Sequence, residues 1–153
     1  MQGKRVLVVG CGKIGLRIAR ELSHSHQVWG LRRSITQDTH EIQFLSADVI
    51  QTNSLTRAFE KLTHDIDYLI YCLSPSERTE DGYRESYVTG LKNTLNALPT
   101  LASLKRIFFI SSTSVFHQND HQWVDEHSET LPRSFSGKIL LEAEALLNAI
   151  DIP

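Results

Sequence analysis

Three short stretches of the chain are apolar at nearly every position. Arg5-Val-Leu-Val-Val9 is the first, and Tyr68-Leu-Ile-Tyr-Cys72 and Arg106-Ile-Phe-Phe-Ile110 repeat its character. Continuous apolar runs of this length predict strands buried on both faces of a parallel sheet. Gln27 to Leu31 predicts a short second strand, and Ile42 to Leu45 a weaker third. Between them the spacing changes to that of helices. Ile14, Ile18, Ala19 and Leu22 recur on one face up to about Ser23. Leu55, Ala58, Phe59 and Leu62 do the same behind a cap at Asn53 or Ser54. A long helix is predicted over residues 82–98, stopped by Pro99. A last one starts near Ser134 or Ser136 and carries Ile139, Leu140, Ala143, Leu146 and Leu147. Residues 74–81, with Pro75, read as a loop, and residues 113–133 as a long polar irregular segment. No repeat or linker divides the chain, so residues 1–153 are expected to form one domain. Strands alternating with helices predict a doubly wound parallel α/β sheet, a Rossmann fold with helices on both faces and right-handed crossovers.

Composition narrows the partners. The 153 residues carry a net charge of -2, which gives no electrostatic case for nucleic acid or for an anionic membrane. No apolar run reaches spanning length, and no long apolar stretch of a signal peptide stands at the N-terminus. The two cysteines, Cys11 and Cys72, lack metal-ligand spacing. A cytoplasmic protein with reduced thiols is the expectation.

The chemistry begins at Gly10-Cys11-Gly12-Lys13-Ile14-Gly15, where the first strand turns into the first helix. In such a turn the first glycine permits the tight bend. The second lets a pyrophosphate approach the backbone, and the third lets helix and strand pack closely. The helix N-terminus offers free N–H groups and a positive partial charge to the phosphates. The alternative is a glycine turn without a ligand, but the strand-to-helix context favours dinucleotide binding. An NAD site usually has an acid about 20 residues on, at the end of the second strand. Here that place reads Trp29-Gly-Leu-Arg32-Arg33-Ser34, with no acid. Two guanidinium groups suit the 2′-phosphate of NADP, so NADP is expected rather than NAD. The alternative is a solvated basic pair. Cys72 and Leu73, at the end of the fourth strand, are read as further cofactor-binding positions.

With these residues in place, the chain resembles the NAD-dependent epimerase/dehydratase group of the extended and atypical short-chain dehydrogenase/reductases. Ala47-Asp48-Val49 is similar to the segment that contacts adenine there, Asp48 accepting from the adenine amino group and Val49 packing beside it. Tyr87-Val-Thr-Gly-Leu-Lys-Asn-Thr-Leu95 resembles the family's helix-four signature, usually Asn-Val-x-Gly-Thr. Ile110-Ser-Ser-Thr-Ser-Val-Phe116 resembles its Ser-Ser-x-x-Val-Tyr segment. Lys138 to Glu142 matches the Lys-x-x-x-Glu spacing of the helix with the catalytic lysine. The resemblance implies hydride transfer between NADP(H) and a carbonyl or sugar-like substrate. In it Ser112 positions the reacting oxygen, while Lys138 holds the nicotinamide ribose and lowers the pKa of a neighbouring tyrosine.

That tyrosine should stand four residues before Lys138, at a position occupied by Ser134. An aliphatic hydroxyl titrates far above a phenol and is a poor acid/base, so a proton relay through Ser134 would have to stand in. Tyr83 and Tyr87 lie outside the motif position, though either could be near in space. Phe116 also replaces a tyrosine usual in the family. The resemblance further implies that the C-terminal substrate part is missing after Pro153, which leaves sheet edge uncovered and makes self-association an expectation. Two functions are therefore carried forward: an oxidoreductase or epimerase acting on a small molecule, and a non-catalytic dinucleotide-binding module.

The remaining candidates are weaker. His117, His121 and His127 with Asp120 and Asp125 share one polar loop, but their spacing fits no zinc pattern and no metal is expected. Trp123 to Glu126 resembles a substrate-facing loop of the family, the alternative being a surface loop anchored by Trp123. Cys11 sits where a helix N-terminus stabilises a thiolate, yet a packing role suits it better. Cys72 reads also as a small core residue.

Overall fold

The fold was analysed in a computed structural model, which describes residues 3–35, 41–118 and 121–152. The sheet has five parallel strands: β1 (Arg5–Val9), β2 (Gln27–Arg32), β3 (Ile42–Ser46), β4 (Tyr68–Tyr71) and β5 (Arg106–Phe109), in the order β3-β2-β1-β4-β5. Val8 of β1 lies between Gly30 of β2 and Ile70 of β4. The helices are α1 (Lys13–Ser23), α2 (Thr52–Phe59), α3 (Glu80–Arg84), α4 (Gly90–Ala97) and α5 (Phe135–Asn148). The chain winds outward from β1 to β3, then returns to β1 and continues on its other side. This is the doubly wound Rossmann arrangement expected from the sequence. None of the described helices is long and apolar enough to cross a membrane.

Alternation along the strands divides the core in two. Leu7, Val9, Trp29, Leu31, Leu69 and Tyr71 face the side covered by α2, α4 and α5, where they meet Leu55, Phe59, Leu91, Ile139 and Leu140. Val6, Val8, Val28 and Ile70 face the opposite side, where Ala19 and its neighbours on α1 cover them. Among the described residues both faces carry helices, but unequally: α2, α4 and α5, with α3 beside them, on one side and α1 on the other.

Four local expectations are corrected. β5 is not a buried strand. Its positions alternate between exposed and half-buried, and Phe108 is 46% exposed, because no strand lies beyond it and no helix of the first side's kind covers its outer face. The helix expected over 82–98 begins at Glu80, capped by Thr79, whose hydroxyl accepts from the Gly82 N–H at 3.2 Å. It is not continuous, since a π-helical turn, Glu85–Thr89, separates α3 from α4. α2 begins at Thr52 without the expected side-chain cap, because the Ser54 hydroxyl instead accepts from the Asp48 N–H at 3.2 Å. The irregular 113–133 segment holds a 3-10 turn, Thr113–Val115. Of the two candidate caps for α5, Ser134 fills the role, accepting from the Gly137 N–H at 3.2 Å. Asp120 and Pro153 lie outside the described residues.

The N-terminal edge of the sheet is tied by one buried carboxylate. Asp67 is 5% exposed and pairs with Arg5 at 3.0 Å and Lys105 at 3.1 Å. It also accepts from the Arg5 N–H at 3.0 Å. Its own N–H donates to Arg5 and its carbonyl accepts from Lys105, so β1, β4 and β5 meet at this residue. The Arg5 guanidinium holds the Asp67 carboxyl well below the usual carboxylate range, against the opposing effect of burial. A depressed folded-state pKa stabilises the fold above the unfolded value near 4, and that contribution fades as pH falls below it. Asp67→Asn is therefore expected to lower stability at pH 7 by about 1–3 kcal/mol. The gap to the parent should narrow as urea titrations move from pH 5 toward pH 2. Equal urea midpoints at pH 7 would refute this account of the edge.

Candidate functional site

The site forms at the C-terminal edge of the sheet, where the crossovers from β1 and β4 part. Gly10 ends β1 with φ of +96°, a left-handed conformation that side chains disfavour. A Cβ there would also strike the Cys72 carbonyl beyond β4. The N–H groups of Gly10 and Cys11 both donate to the Leu31 carbonyl of β2, at 2.9 and 3.1 Å. Gly15 presses α1 onto the turn, and a Cβ there would overlap the Gly10 carbonyl. Gly12 is different. Nothing lies within 4 Å of where its Cβ would be. It caps α1 without a side chain, and no acid stands in the helix's first turn. Two glycines thus close the turn, and the middle one faces open space beside free helix N–H groups.

That space is a cleft of about 690 Å3. Residues 10–15 form its floor, with Arg32, Arg33 and Ser34 at one wall and Asp48 and Val49 beside them. Cys72 and Leu73 line it from β4. Every expected cofactor-binding residue except Lys138 is therefore gathered around one cavity. Arg32 is the last residue of β2, and its carbonyl accepts from the Ala47 N–H at 3.1 Å, which joins the basic wall to the Asp48 segment. Asp48 accepts from the Ile50 N–H at 3.2 Å through one oxygen. Val49 is held through its carbonyl by the Asn93 amide of α4 at 3.0 Å.

The π-helical turn supplies a wall of which the sequence reading named only Tyr87. Glu85, Ser86 and Tyr87 line the cleft from it. Its wider hydrogen bond, from the Gly90 N–H to the Glu85 carbonyl, leaves the Ser86 carbonyl to accept from the Tyr71 hydroxyl at 2.6 Å. Gly90 is required there, because a Cβ would meet the Val49 side chain at 2.6 Å and the Tyr71 hydroxyl at 2.7 Å. The only advance signal was that glycine inside a helical pattern. Burial raises the Tyr71 phenol far above its ordinary value and makes it a fixed donor. Tyr87 is also buried enough to be raised, and its ring packs edge-on against Phe109.

Ser112, Ser134 and Lys138 do not line the cleft. Ser112 caps the 3-10 turn, accepting from the Ser114 N–H at 3.2 Å. Ser134 caps α5 and shares a 2.9 Å bond with the Ser136 hydroxyl. Lys138 is one turn along, its N–H bonded to the Ser134 carbonyl at 3.1 Å. Gly137 brings these elements together, since any side chain there would overlap the Ser114 carbonyl. The Ser112 turn and the Ser134–Lys138 helix start are thus packed against each other, outside the cleft lining. Tyr83 sits between Tyr87 and Phe135, with ring centroids 5.5 and 5.6 Å away.

Other candidates have structural roles. Cys11 is buried and its thiol points to the Val8 carbonyl at 3.6 Å. Burial pushes it up to about 12, so the helix N-terminus does not make it a thiolate. Gly30 leaves room for its sulfur, which a Cβ would approach to 2.8 Å. Cys72 is half-buried, lining the cleft wall and packing against the core on the α1 side. Asp125 accepts from the His127 N–H and the Ser128 hydroxyl, each at 3.0 Å, closing a local turn. Trp123 anchors nothing, being 99% exposed.

Residues 6–136 match the NAD dependent epimerase/dehydratase family. A Methylobacillus flagellatus protein classed as an NAD-dependent epimerase/dehydratase is 41% identical, with a TM-score of 0.77 over 97% of this chain and 51% of its own. The Bordetella bronchiseptica enzyme WbmG, solved with NAD and UDP, is 18% identical with a TM-score of 0.78, covering 99% of this chain and 51% of its own. A UDP-N-acetylglucosamine 4-epimerase from Methanobrevibacter ruminantium, solved with UDP-N-acetylmuramic acid, is 19% identical with a TM-score of 0.73, over 97% and 51%. The last two likenesses show the fold alone. The chain spans about half the length of these proteins. Among curated proteins no relative matches the sequence.

The glycines make separable predictions. Gly15→Ala should destabilise the fold by about 2 kcal/mol or more, because backbone must move. Gly12→Ala should stay within about 0.5 kcal/mol of the parent. Urea denaturation of the two variants checks this, and similar losses for both would contradict the open position of Gly12.

Proposed function

The chain belongs to the NAD-dependent epimerase/dehydratase family, and from that premise we propose that it binds NADP(H) in the cleft and serves hydride transfer on a carbonyl or sugar-like small molecule. The observation that carries the binding half is the cradle at Gly12: open space, bounded by two glycines that cannot be replaced, in front of an uncapped helix N-terminus. A pyrophosphate fits that place, and any side chain at 12 would fill it. Asp48 and Val49 would hold the adenine, Arg32 and Arg33 the 2′-phosphate. When bound, the nicotinamide supplies the hydride donor or acceptor. Cys11 and Cys72 are both free thiols, as suits the cytoplasm.

The chain's own residues would do the rest. Ser112 would orient the reacting oxygen, and Lys138, packed beside its turn, would hold the ribose. Ser134 would pass a proton at its hydroxyl. Tyr87 contributes a phenol on the cleft wall, although burial raises it rather than activating it.

A second reading is favoured by Ser134 itself. Its oxygen already accepts from the Gly137 N–H and is shared with Ser136, so it serves the helix as a cap. A dinucleotide-binding module without turnover accounts for that use.

Titration with NADPH and NADH separates these readings. Tight NADPH binding is expected. Arg32→Ala with Arg33→Ala should weaken NADPH by about 10-fold or more and NADH much less, each charge-assisted bond contributing on the order of 1.5 kcal/mol. Equal loss for the two would refute the 2′-phosphate assignment. Turnover is then tested with ketones and nucleotide sugars. Binding without turnover, unrelieved by Ser134→Tyr, would leave the non-catalytic module.

A further inference from the structure

Hydride transfer needs a group that takes or gives a proton beside the reacting carbon, and the aliphatic hydroxyl at position 134 is a poor one. Another hydroxyl is better placed. Ser111 follows β5 and lines the cleft. The Ile110 N–H donates to the Tyr71 carbonyl of β4 at 3.0 Å, so the chain still runs beside the sheet as it reaches this residue. Ser111 is half-buried, and its hydroxyl donates to a carboxylate oxygen of Glu144 on α5 at 2.5 Å. Glu144 is also half-buried, so water reaches it. Among the described residues no cation lies within ion-pair distance of that carboxylate.

Ser111 and Ser134 differ in what stands behind them. The Ser134 oxygen accepts from the Gly137 N–H and shares a bond with the Ser136 hydroxyl, so its chain of hydrogen bonds ends on a second alcohol. The chain from Ser111 ends on a carboxylate, an acceptor that can hold a proton and release it to water. Ser111 also lines the cleft, whereas Ser112 and Ser134 do not. It directly precedes Ser112, the residue that orients the reacting oxygen in the proposed function.

We propose that Ser111 and Glu144 form a proton relay from the cleft to water. The proposal rests on the hydride-transfer reading and gives its proton a route that ends on a base. In the oxidising direction a substrate hydroxyl gives its proton to the Ser111 oxygen as the Ser111 proton passes to the Glu144 carboxylate. The substrate carbon gives its hydride, with the bonding electron pair, to the nicotinamide, and the carbon–oxygen bond becomes double. Glu144 then releases the proton to water. Reduction of a carbonyl runs the same steps in reverse. Glu144 acts only through Ser111.

One test needs no turnover. The whole chain is treated with phenylmethylsulfonyl fluoride, and labelling at each serine is followed by mass spectrometry. Attack by the Ser111 oxygen forms a sulfonate ester, fluoride leaves, and Glu144 takes the proton. Ser111 should label at least about 10-fold faster than Ser134, because a base stands behind it. NADPH should protect it, and Glu144→Gln should bring its rate down to that of Ser134. Equal rates at the two serines of the parent overturn the relay, whether or not the variant folds. So does a Ser111 rate that Glu144→Gln leaves unchanged. The second test is turnover of ketones and nucleotide sugars with NADPH. Glu144→Gln should lower kcat about 100-fold. Its NADPH affinity and urea midpoint should match the parent's. A parent that turns over, matched by Glu144→Gln, overturns the relay alone. A parent that binds NADPH and turns nothing over, with Ser111 labelled as expected, overturns the hydride-transfer reading and the relay with it.

Discussion

The structure depends on one close approach of backbone to backbone. At the end of the central strand, Gly10 turns with positive φ against the Cys72 carbonyl, and Gly15 rests on the Gly10 carbonyl. Two N–H groups of the same turn bind the Leu31 carbonyl. The ends of β1, β2 and β4 and the start of α1 are thereby locked within a few residues. This junction is the point where the chain's windings diverge, so the cleft opens at the place the glycines hold together. No side chain can substitute for this contact, because each partner is main chain.

The opposite edge of the sheet is built on a different principle. There Asp67 collects Arg5 and Lys105 around one nearly buried carboxylate. Charge ties β1, β4 and β5 at their starts, and steric fit ties β1, β2 and β4 at their ends. The division suits the dinucleotide cleft proposed above. An ion-pair network at the C-terminal edge would compete with an anionic ligand for the helix N–H groups, whereas glycines leave those groups free. The basic pair Arg32–Arg33 can then face the cleft with no acid beside it among its lining residues but Asp48 and Glu85.

How much of this was legible in the sequence follows from which physics is local. The glycine turn could be read because its requirement is a property of residue type: only glycine takes that φ and that distance. Strands β1 and β4 could be read because they are buried on both faces. Arg106-Ile-Phe-Phe has the same apolar character, yet β5 is half-exposed, since an apolar run does not say whether a neighbour covers it. The π-helical turn was hidden because apolar spacing continues through it, and its one mark is Gly90, where a side chain would crowd Val49 and Tyr71. Ser54 looked like a helix cap, but the same hydroxyl can accept from any nearby N–H, and the Asp48 turn reaches it first. Ser112, Ser134 and Lys138 were found through resemblance alone. The structure packs them together through Gly137, outside the cleft lining.

Ser134 shows how the proposed binding and the proposed chemistry make different demands on this chain. A serine at a helix start is a good cap, contributing about 1 kcal/mol through its bond to the N–H three residues on. A phenol at the same backbone position is too long to make that bond, so a tyrosine there would leave the Gly137 N–H to another acceptor. Position 134 can therefore serve the start of α5 or present an acid/base, and the two demands select different residues. The glycine turn is under no such conflict, because Gly10 and Gly15 make contacts that any side chain would block and Gly12 leaves the space before the helix open. Loss of the phenol leaves the Gly10–Gly15 cradle untouched, since Ser134 and the cradle share no lining and no hydrogen bond. On the proposed reading, the pyrophosphate cradle would thus rest on β1 and α1, and proton transfer separately on the α5 start.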